Sequence, residues 1–299
     1  MSILTHIAGI ELGGTKSIAI LARGREIVDR RVVHTTTPAE TLTTLHGQLA
    51  RWQEEIGIAA IGIASFGPVQ LDPSAQDYGY MLATPKAGWS GAAVAATLVE
   101  GLSVPWRIDT DVNGAALAEW RWGAAQGRDS LCYFTIGTGV GGGLVINGAP
   151  VHGAMHPELG HLCLRRLPRD IFAGICPFHG DCIEGLISGP ALAQRFGADP
   201  AGVDDGDDRW DAVAHDLAQL VGTILLTTSA QRILLGGGVM TKRPLLLAKV
   251  RASVVAQLGS YLPFLTAESG RSLIDVPGLG ADAGPLGAIA LALMAQDQG

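Results

Sequence analysis

Two segments of this sequence share one layout, in which a glycine turn joins two apolar, strand-like runs. In the first, HIAGIEL and SIAILA flank the turn GGTK; in the second, more than a hundred residues later, SLCYFTI and GGLVING flank another glycine turn. Short apolar runs bounded by glycine are typical of β-hairpins. Because a hairpin that recurs in one chain indicates an internal repeat, we expect two related lobes.

The segments between and after the hairpins alternate between helical and extended patterns. Helical apolar spacing marks PAETLTTLHGQLARWQEEIG, whereas AAIGIASFG and VPWRIDTDVN have the pattern of strands. We expect Asn113 to cap the helix that follows the second strand. The later pattern predicts a helical stripe (Val213, Leu217, Leu220, Val221, Ile224 and Leu225), a strand in RILLGGGVM, a helix in RPLLLAKVRASVVAQLG and a last helix in GPLGAIALALMAQ. This alternation predicts an α/β fold.

Length and charge exclude several classes of protein. The 299 residues are enough for two domains with their own cores. A net charge of −7, without a block of Lys and Arg, argues against a nucleic-acid partner. No stretch has the roughly 20 uninterrupted apolar residues of a membrane span, and the opening MSILTHIAG lacks the basic stretch of a secretory signal. We therefore expect a cytoplasmic protein with no membrane partner.

The second hairpin contains Gly137, Gly139 and Gly142, the G-x-G-x-x-G spacing of many dinucleotide sites. Such a site needs a helix directly after the glycines, but LVI and NGAP predict a strand and a turn, so an NAD-dependent dehydrogenase is a distant alternative. Glycines in a hairpin turn let backbone N–H groups approach an anion, with Thr138 adding a hydroxyl. The alternative is a turn that merely needs positive φ. A third group, Gly236–Gly238, lies between a strand and a helix, where adenine and ribose could bind.

These motifs together resemble the ROK group of bacterial sugar kinases and repressors, within the actin, hexokinase and Hsp70 superfamily of folds. GIELGGTK resembles the first phosphate loop of the group, TIGTGVGGGLVINGAPVHGAMHPELGH its signature, and LGGGVM its adenosine loop. SFGPV, TPKAGW, DTDVNGAALAEW and CPFHGDCIEG are similar to the fructokinase branch. The repressors carry an added amino-terminal helix-turn-helix, whereas this chain begins directly at the first hairpin, so we expect an enzyme.

The resemblance implies a two-lobed actin-like ATPase (ribonuclease H-like) fold with a duplicated α/β core. We expect a small lobe over residues 1–115, to which a closing helix at 284–296 returns, and a large lobe over residues 116–283 with the second phosphate loop, the zinc loop and the adenosine loop. The implied activity is the ATP- and Mg²⁺-dependent conversion of D-fructose to fructose 6-phosphate by a homodimer. A hexokinase for mannose or glucose and a non-catalytic sugar sensor on the same fold are the alternatives.

Asp111 is the candidate general base, because it follows a strand at its carboxyl end and phosphoryl transfer needs a carboxylate to accept the hydroxyl proton. On position alone a solvated or helix-capping aspartate competes with this reading, and the resemblance favours the base. Thr110 stands where the group usually has Asn, so we expect the Thr110 hydroxyl to supply a shorter hydrogen bond in place of the sugar contact of that amide. The resemblance implies that the sugar contacts are Gly67, Thr110, Glu158, His161 and Glu184.

The resemblance also implies the groups that bind ATP. Glu11 stands where the group more often has Asp, so a contact with Mg²⁺ or its water would be shifted. Lys16 is expected to help with phosphate, although a lysine at a hairpin end is often only solvated. The complete set of expected ATP contacts is Gly13, Gly14, Thr15, Lys16, Thr138, Gly139, Pro190, Gly236, Gly237 and Gly238.

The segment CPFHGDC offers Cys176, His179 and Cys182 at the close spacing of a structural zinc site. By resemblance His161 is the fourth ligand, while on sequence alone His156 and Cys163 compete with it. A chance grouping of three such residues is the alternative. Cys132, inside an apolar strand, is expected to be part of the core.

Overall fold

The computed structural model describes residues 5–297. Residues 1–4 lie outside the described residues. They are the first part of MSILTHIAG, the segment in which we expect no secretory signal. The strands are β1 (His6–Leu12), β2 (Lys16–Arg23), β3 (Glu26–His34), β4 (Ile61–Ser65), β5 (Trp106–Thr110), β6 (Ser130–Ile136), β7 (Val140–Ile146), β8 (Ala149–Pro150), β9 (Arg232–Gly236) and β10 (Ile274–Asp275). The helices are α1 (Pro38–Glu55), α2 (Val94–Leu98), α3 (Asp111–Trp122), α4 (Ile183–Ile187), α5 (Gly189–Phe196), α6 (Arg209–Thr228), α7 (Gly237–Lys242), α8 (Pro244–Leu258), α9 (Ser269–Leu273) and α10 (Ala283–Gln296).

The chain divides into two compact units. Unit 1 consists of the described residues up to Gln126, the short segment Gly148–Pro157 and the described residues from Gly278 onward. Unit 2 consists of Gly127–Asn147 and Glu158–Pro277. Each unit contains a sheet with one of the two glycine hairpins, so the repeated layout in the sequence corresponds to a repeated structural element.

The sheet of unit 1 has the strand order β3-β2-β1-β4-β5. The pairs β1–β2 and β2–β3 are antiparallel, while β1–β4 and β4–β5 are parallel. The first predicted hairpin is therefore present. Strand β3 is absent from the sequence-based prediction because most of its side chains are exposed, which leaves little apolar pattern to detect.

Helices cover both faces of this sheet. On one face, α1 packs Leu45, Leu49 and Trp52 into a cluster with β1, β2 and β4. On the other face, α10 lies directly on β4, since a Cβ at Gly62 would come within 1.8 Å of the Ala288 carbonyl oxygen. Helix α10 also contacts α3 closely, because a Cβ at Gly287 would lie 2.3 Å from the Gly114 carbonyl carbon. Glycine at these two positions lets backbone pack against backbone.

A buried carboxylate joins three segments of unit 1. Glu119 of α3 has no exposed surface. Its oxygens accept hydrogen bonds from the backbone N–H groups of Ala124 (2.7 Å), Gly278 (2.9 Å) and Leu279 (2.8 Å). A buried carboxylate is stable when such donors replace its water, so Glu119 fixes the end of α3 to the segment that leads into α10.

Within unit 2, strands β10-β9-β6-β7 are neighbours, with β6–β7 antiparallel and the other pairs parallel. The predicted stripe on α6 is buried along its whole length, and α6 packs against α8. Cys132 lies fully buried in β6, as predicted. Among the helices of residues 5–297, none is both long enough and apolar enough to cross a membrane.

Candidate active site

The first glycine turn, in unit 1, joins β1 to β2 with its backbone exposed at Gly14, Thr15 and Lys16. A Cβ at Gly13 would lie 2.6 Å from the Lys16 carbonyl oxygen, so only glycine fits there. The end of β3 fixes the turn: Thr35 Oγ1 donates to the Gly13 carbonyl at 2.7 Å, and Thr35 N donates to the Thr15 carbonyl at 2.9 Å. The turn therefore presents an exposed, rigid stretch of backbone of the kind that binds anions.

Glu11 lies one strand residue before this turn and packs against the start of α10. A Cβ at Gly284 would be 2.2 Å from Glu11 Oε1, so the carboxylate occupies the space that this glycine leaves. Burial raises the pKa of Glu11, and the nearby positive charges of Lys16 and Arg30 oppose that rise. A carboxylate is thus held beside the first turn, at the amino end of a helix, where negative charge is favoured.

The junction of β5 and α3 differs from the sequence-based prediction in its helix cap. Thr110, not Asn113, is the N-cap residue, because Thr110 Oγ1 accepts from Asn113 N at 3.2 Å. The predicted cap at Asn113 is wrong because its side-chain amide is used elsewhere and donates to Asp109 Oδ1 at 2.8 Å. Helix α3 therefore begins at Asp111, three residues earlier than expected.

The two aspartates at this junction have different environments. Asp109 is fully buried; its Oδ1 also accepts from Thr110 N at 2.8 Å, and its Oδ2 lies 3.0 Å from His152 Nε2. Asp111 is partly exposed, and its Oδ1 accepts from Val112 N at 2.9 Å. Asp109 therefore organises the start of α3, whereas Asp111 is the carboxylate that a substrate can reach.

Gly67 belongs to the turn after β4. Its carbonyl accepts from Thr84 Oγ1 at 3.3 Å, which joins this turn to the TPKAGW segment. His156, a competing zinc ligand in the sequence, lies in the same unit, and its Nε2 accepts from Val69 N at 3.2 Å. His156 is therefore used to hold this turn and is absent from the metal cluster described below.

The second glycine turn, in unit 2, is held by backbone and by one carboxylate. Gly137 N donates to the Gly139 carbonyl at 2.9 Å, and Gly189 N donates to the Gly137 carbonyl at 2.7 Å. Glu184 Oε2 accepts from Val140 N at 3.0 Å, and a Cβ at Gly139 would lie 2.6 Å from that oxygen. A dinucleotide-binding site needs a helix directly after its glycines, but here strand β7 follows the glycine turn.

A cavity of about 670 Å³ opens beside this second turn, entirely within unit 2. Three predicted nucleotide contacts, Thr138, Pro190 and Gly238, line it. Arg243 helps to close it, with its guanidinium 5.0 Å from the centre of the Trp210 ring and 2.5 Å from Asp205 Oδ1. Most other lining residues are apolar (Leu192, Ala193, Pro200, Ala201 and Val239). A cavity with glycine backbone at one end and apolar walls suits a nucleoside.

The four predicted metal ligands form one cluster in unit 2. One potential ligand atom from each of His161, Cys176, His179 and Cys182 lies within 4.8 Å of the other three. His161 Nδ1 is 3.5 Å from Cys182 Sγ and 3.8 Å from Cys176 Sγ, and His179 Nδ1 is 3.7 Å from Cys176 Sγ. Cys163, the other competing ligand in the sequence, is exposed and outside the cluster. Burial raises the pKa of the Cys182 thiol to about 11.

The predicted sugar contacts of unit 2 lie close to this cluster along the chain. Glu158 immediately precedes the 3₁₀ turn Leu159–His161, and His161 N donates to the Glu158 carbonyl at 3.0 Å. Glu184 is in the first turn of α4, whose N-cap is the cluster residue Cys182. The cluster therefore anchors the backbone on which both carboxylates are carried.

Several polar groups near these turns are placed by contacts that the sequence motifs do not predict. Lys86, His152, Trp210 and Arg243 are brought into place by contacts with residues far along the chain. Their positions depend on tertiary packing, so residue type and spacing give no indication of them. Lys86 and His152 do lie within family-like motifs, TPKAGW and the signature, but these motifs do not indicate what the two side chains contact.

Comparison with known proteins identifies relatives along nearly the whole chain. The model of the ROK family matches residues 7–295. A fructokinase of Zymomonas mobilis is 42% identical over 298 residues, which cover 97% of each chain. The structure of a ROK hexokinase from Thermus thermophilus is similar with a TM-score of 0.79 and 26% identity, covering 98% of this chain and 100% of the other. A ROK glucokinase from Streptomyces griseus, solved with glucose and AMPPNP, has a TM-score of 0.73 and 25% identity, with 97% and 99% of the chains covered.

Proposed function

Because this chain belongs to the ROK family, and because a fructokinase matches it over almost its entire length, we propose that it is an ATP-dependent fructokinase that converts D-fructose to fructose 6-phosphate. The predicted actin-like ATPase fold is confirmed by the similarity to ROK sugar kinases. The structural observation that carries the proposal is the accessible carboxylate of Asp111, which is set at the start of α3 by the buried Asp109.

We propose that Asp111 is the general base. The hydroxymethyl oxygen at C6 of fructose attacks the γ-phosphorus of ATP, the bond from that phosphorus to the β–γ bridging oxygen breaks, and ADP leaves. The hydroxyl proton passes to the Asp111 carboxylate. The backbone contact from Val112 N holds one oxygen of that carboxylate and fixes the orientation of the group that would accept the proton.

Gly67, Thr110, Glu158, His161 and Glu184 are the proposed sugar contacts. Carboxylates such as Glu158 and Glu184 accept charge-assisted hydrogen bonds from adjacent hydroxyl groups. The Thr110 hydroxyl already accepts from Asn113 N, so it can still donate one hydrogen bond to a sugar oxygen.

The proposed phosphate contacts are the two glycine turns, represented by Gly13, Gly14, Thr15, Lys16, Thr138 and Gly139. Pro190 and the adenosine loop, Gly236–Gly238, are the proposed contacts of the nucleoside. The cavity beside Thr138, Pro190 and Gly238 supports this assignment. ATP would bind together with Mg²⁺. Glu11, which lies just before the first turn in the sequence, is the carboxylate that we propose holds the ion or one of its water ligands.

The cluster of His161, Cys176, His179 and Cys182 fits a structural zinc ion. Ligands at the usual Zn–S and Zn–N bond lengths of a tetrahedral site lie about 3.5–3.8 Å apart. Three of the four sulfur–nitrogen distances in the cluster are 3.5, 3.7 and 3.8 Å, and the fourth is at most 4.8 Å. Four protein ligands would leave no open position, so a zinc ion would stabilise this region and take no part in the chemistry.

Family resemblance also leads us to propose a homodimer, which light scattering of the purified protein would measure directly.

The proposed substrate is tested by offering D-fructose, mannose, glucose and N-acetylmannosamine to the purified protein with Mg-ATP. We expect the highest kcat/KM with fructose and a product phosphorylated at C6. Turnover only with the N-acetylated hexosamine would contradict the fructokinase assignment, and sugar binding without ATP consumption would indicate a sensor. Metal analysis of the same sample is expected to give about one zinc per chain; a value near zero would show that the cluster is incidental.

A further inference from the structure

Lys86 lies at the first phosphate turn, although it is 70 residues away from that turn in the sequence. Its Nζ donates to the Gly14 carbonyl at 2.5 Å and lies 5.8 Å from the centre of the Phe66 ring. Gly14 belongs to the proposed phosphate contacts, and Phe66 adjoins Gly67, a proposed sugar contact. The ammonium group is therefore in unit 1 at the place where the phosphate turn meets the turn after β4.

The segment that carries Lys86 is held on both sides. Thr84 Oγ1 donates to the Gly67 carbonyl, and Trp89, which is fully buried, donates from Nε1 to the Thr36 carbonyl at 3.0 Å. Trp89 also packs edge-on against Phe66, with ring centres 5.0 Å apart. The backbone at Lys86 thus lies between two anchored residues, which direct its side chain to the first turn.

The charge of Lys86 is not neutralised within the part of unit 1 that the structure describes. No carboxylate oxygen of these residues forms an ion pair with its Nζ, and the Gly14 carbonyl takes one of its three N–H donors. By contrast, Lys249 on α8 pairs with Asp211 Oδ1 at 2.5 Å. A fixed ammonium with unused donors beside an anion-binding turn has the properties of a phosphate-binding group.

We propose that Lys86 is a further catalytic residue, whose ammonium contacts the γ-phosphoryl group of ATP and stabilises the negative charge on it during transfer. This inference rests on the proposed phosphoryl transfer to fructose. Because the transferred group carries its charge on three oxygens, a cation beside them lowers the barrier more than it strengthens binding of the substrate. ADP lacks this group, so Lys86 should distinguish the triphosphate from the diphosphate.

The inference is tested with the Lys86→Met variant, which keeps the length of the side chain and removes its charge. We expect kcat to fall about 100-fold, with little change in the KM for fructose. Calorimetric titration should show binding of AMPPNP weakened about tenfold or more, while binding of ADP is retained. Lys249→Met, which removes an exposed lysine of unit 2, is the matched control and should resemble the wild type in all three measurements.

A second variant separates charge from packing. In Lys86→Ala, small primary amines added to the assay should restore part of the lost kcat, since they can occupy the vacated position; no such rescue is expected for Asp111→Asn. If Lys86 only fastens its segment to the phosphate turn, Lys86→Met will weaken ADP and AMPPNP equally and lower the melting temperature, which would overturn the inference. Unchanged kcat and unchanged AMPPNP binding would also overturn it. If the wild type binds AMPPNP but does not phosphorylate fructose, the proposed function is wrong, and the two titrations still decide the role of Lys86.

Discussion

The glycine hairpins of unit 1 and unit 2 have the same strand pairing but are held by different groups. In unit 1, side chains hold the turn: the Thr35 hydroxyl donates to Gly13 and the Lys86 ammonium donates to Gly14. In unit 2, the Gly189 backbone holds Gly137, and a carboxylate, Glu184, accepts from the end of the turn. The first turn is therefore held by side-chain donors, whereas the second is held by a backbone donor and a carboxylate acceptor.

The difference shows how a repeated element acquires two functions. The first turn has Lys16 and Lys86 close to its exposed backbone and leads, in the same unit, to the carboxylate of Asp111. The second turn opens into an apolar cavity and lies on a unit that carries the cysteine–histidine cluster. We expect changes at Asp111 and Lys86 of unit 1 to affect mainly the rate of transfer, and changes at the cysteine–histidine cluster of unit 2 to affect mainly the binding of sugar.

The largest expected effect is that of Asp111→Asn in unit 1. The amide keeps the shape of the side chain but cannot accept a proton, so kcat should fall by about 10²–10⁴-fold, while fructose binding measured by calorimetry stays close to that of the wild type. Asp72→Asn, at an exposed carboxylate that accepts hydrogen bonds from Ser74, is the control. Near-normal kcat in a folded Asp111→Asn protein would move the base to Asp109.

Cys182→Ser in unit 2 should change the KM for fructose and the stability of the protein more than it changes kcat. A hydroxyl is a poor replacement for a thiolate on zinc, and the cluster anchors the backbone of Glu158 and Glu184. We expect the apparent KM for fructose to rise about tenfold, the melting temperature to fall by several degrees, and the KM for ATP to change less. Cys163→Ser removes an exposed thiol outside the cluster and serves as control. A fall in kcat alone, without a change in KM or stability, would remove the proposed contrast between the units.

The smallest effect concerns the group that holds the first turn. Thr35→Val deletes the hydroxyl that donates to Gly13 and preserves the shape of the side chain. The free energy of unfolding should decrease by about 1 kcal/mol, and the KM for ATP should rise a few-fold because the turn is less rigid. Thr44→Val on α1, where the hydroxyl donates to the Glu40 carbonyl at 2.7 Å, is the control in a helix. Equal KM values for ATP in both variants would show that the first turn needs no side-chain support.

Much of the fold could be predicted from the sequence because its signals are local. The two hairpins, the stripe on α6 and the last helix each follow from glycine turns or apolar spacing within one segment. The N-cap expected at Asn113 is wrong because the Asn113 side-chain amide donates to Asp109. Thr110 and Asn113 both have side chains suited to an N-cap, and only Thr110 uses its side chain in that way. Strand β3 is not predicted because most of its side chains are exposed, so apolar and polar residues do not alternate regularly along it.

The candidate site could be predicted only as far as the family-like motifs reach. The four residues expected to bind zinc lie in one cluster, which contains His161 but not His156 or Cys163, the alternatives that the sequence leaves open. The roles of the sugar and nucleotide contacts, and the lobe boundary at residue 115, stay predictions. The His152–Asp109 contact and the wall of the cavity at Trp210 and Arg243 arise from long-range packing, for which spacing along the chain has no signal.

The buried Glu119 has a consequence for how the chain is made. Its three partners are Ala124, Gly278 and Leu279, so the carboxylate acquires two of its three hydrogen bonds only after all of unit 2 has left the ribosome. The face of the unit 1 sheet that α10 covers is likewise uncovered until that stage. The amino-terminal part of unit 1 therefore reaches its final packing only after the segment that follows unit 2 has been synthesised, although amino-terminal domains usually fold first.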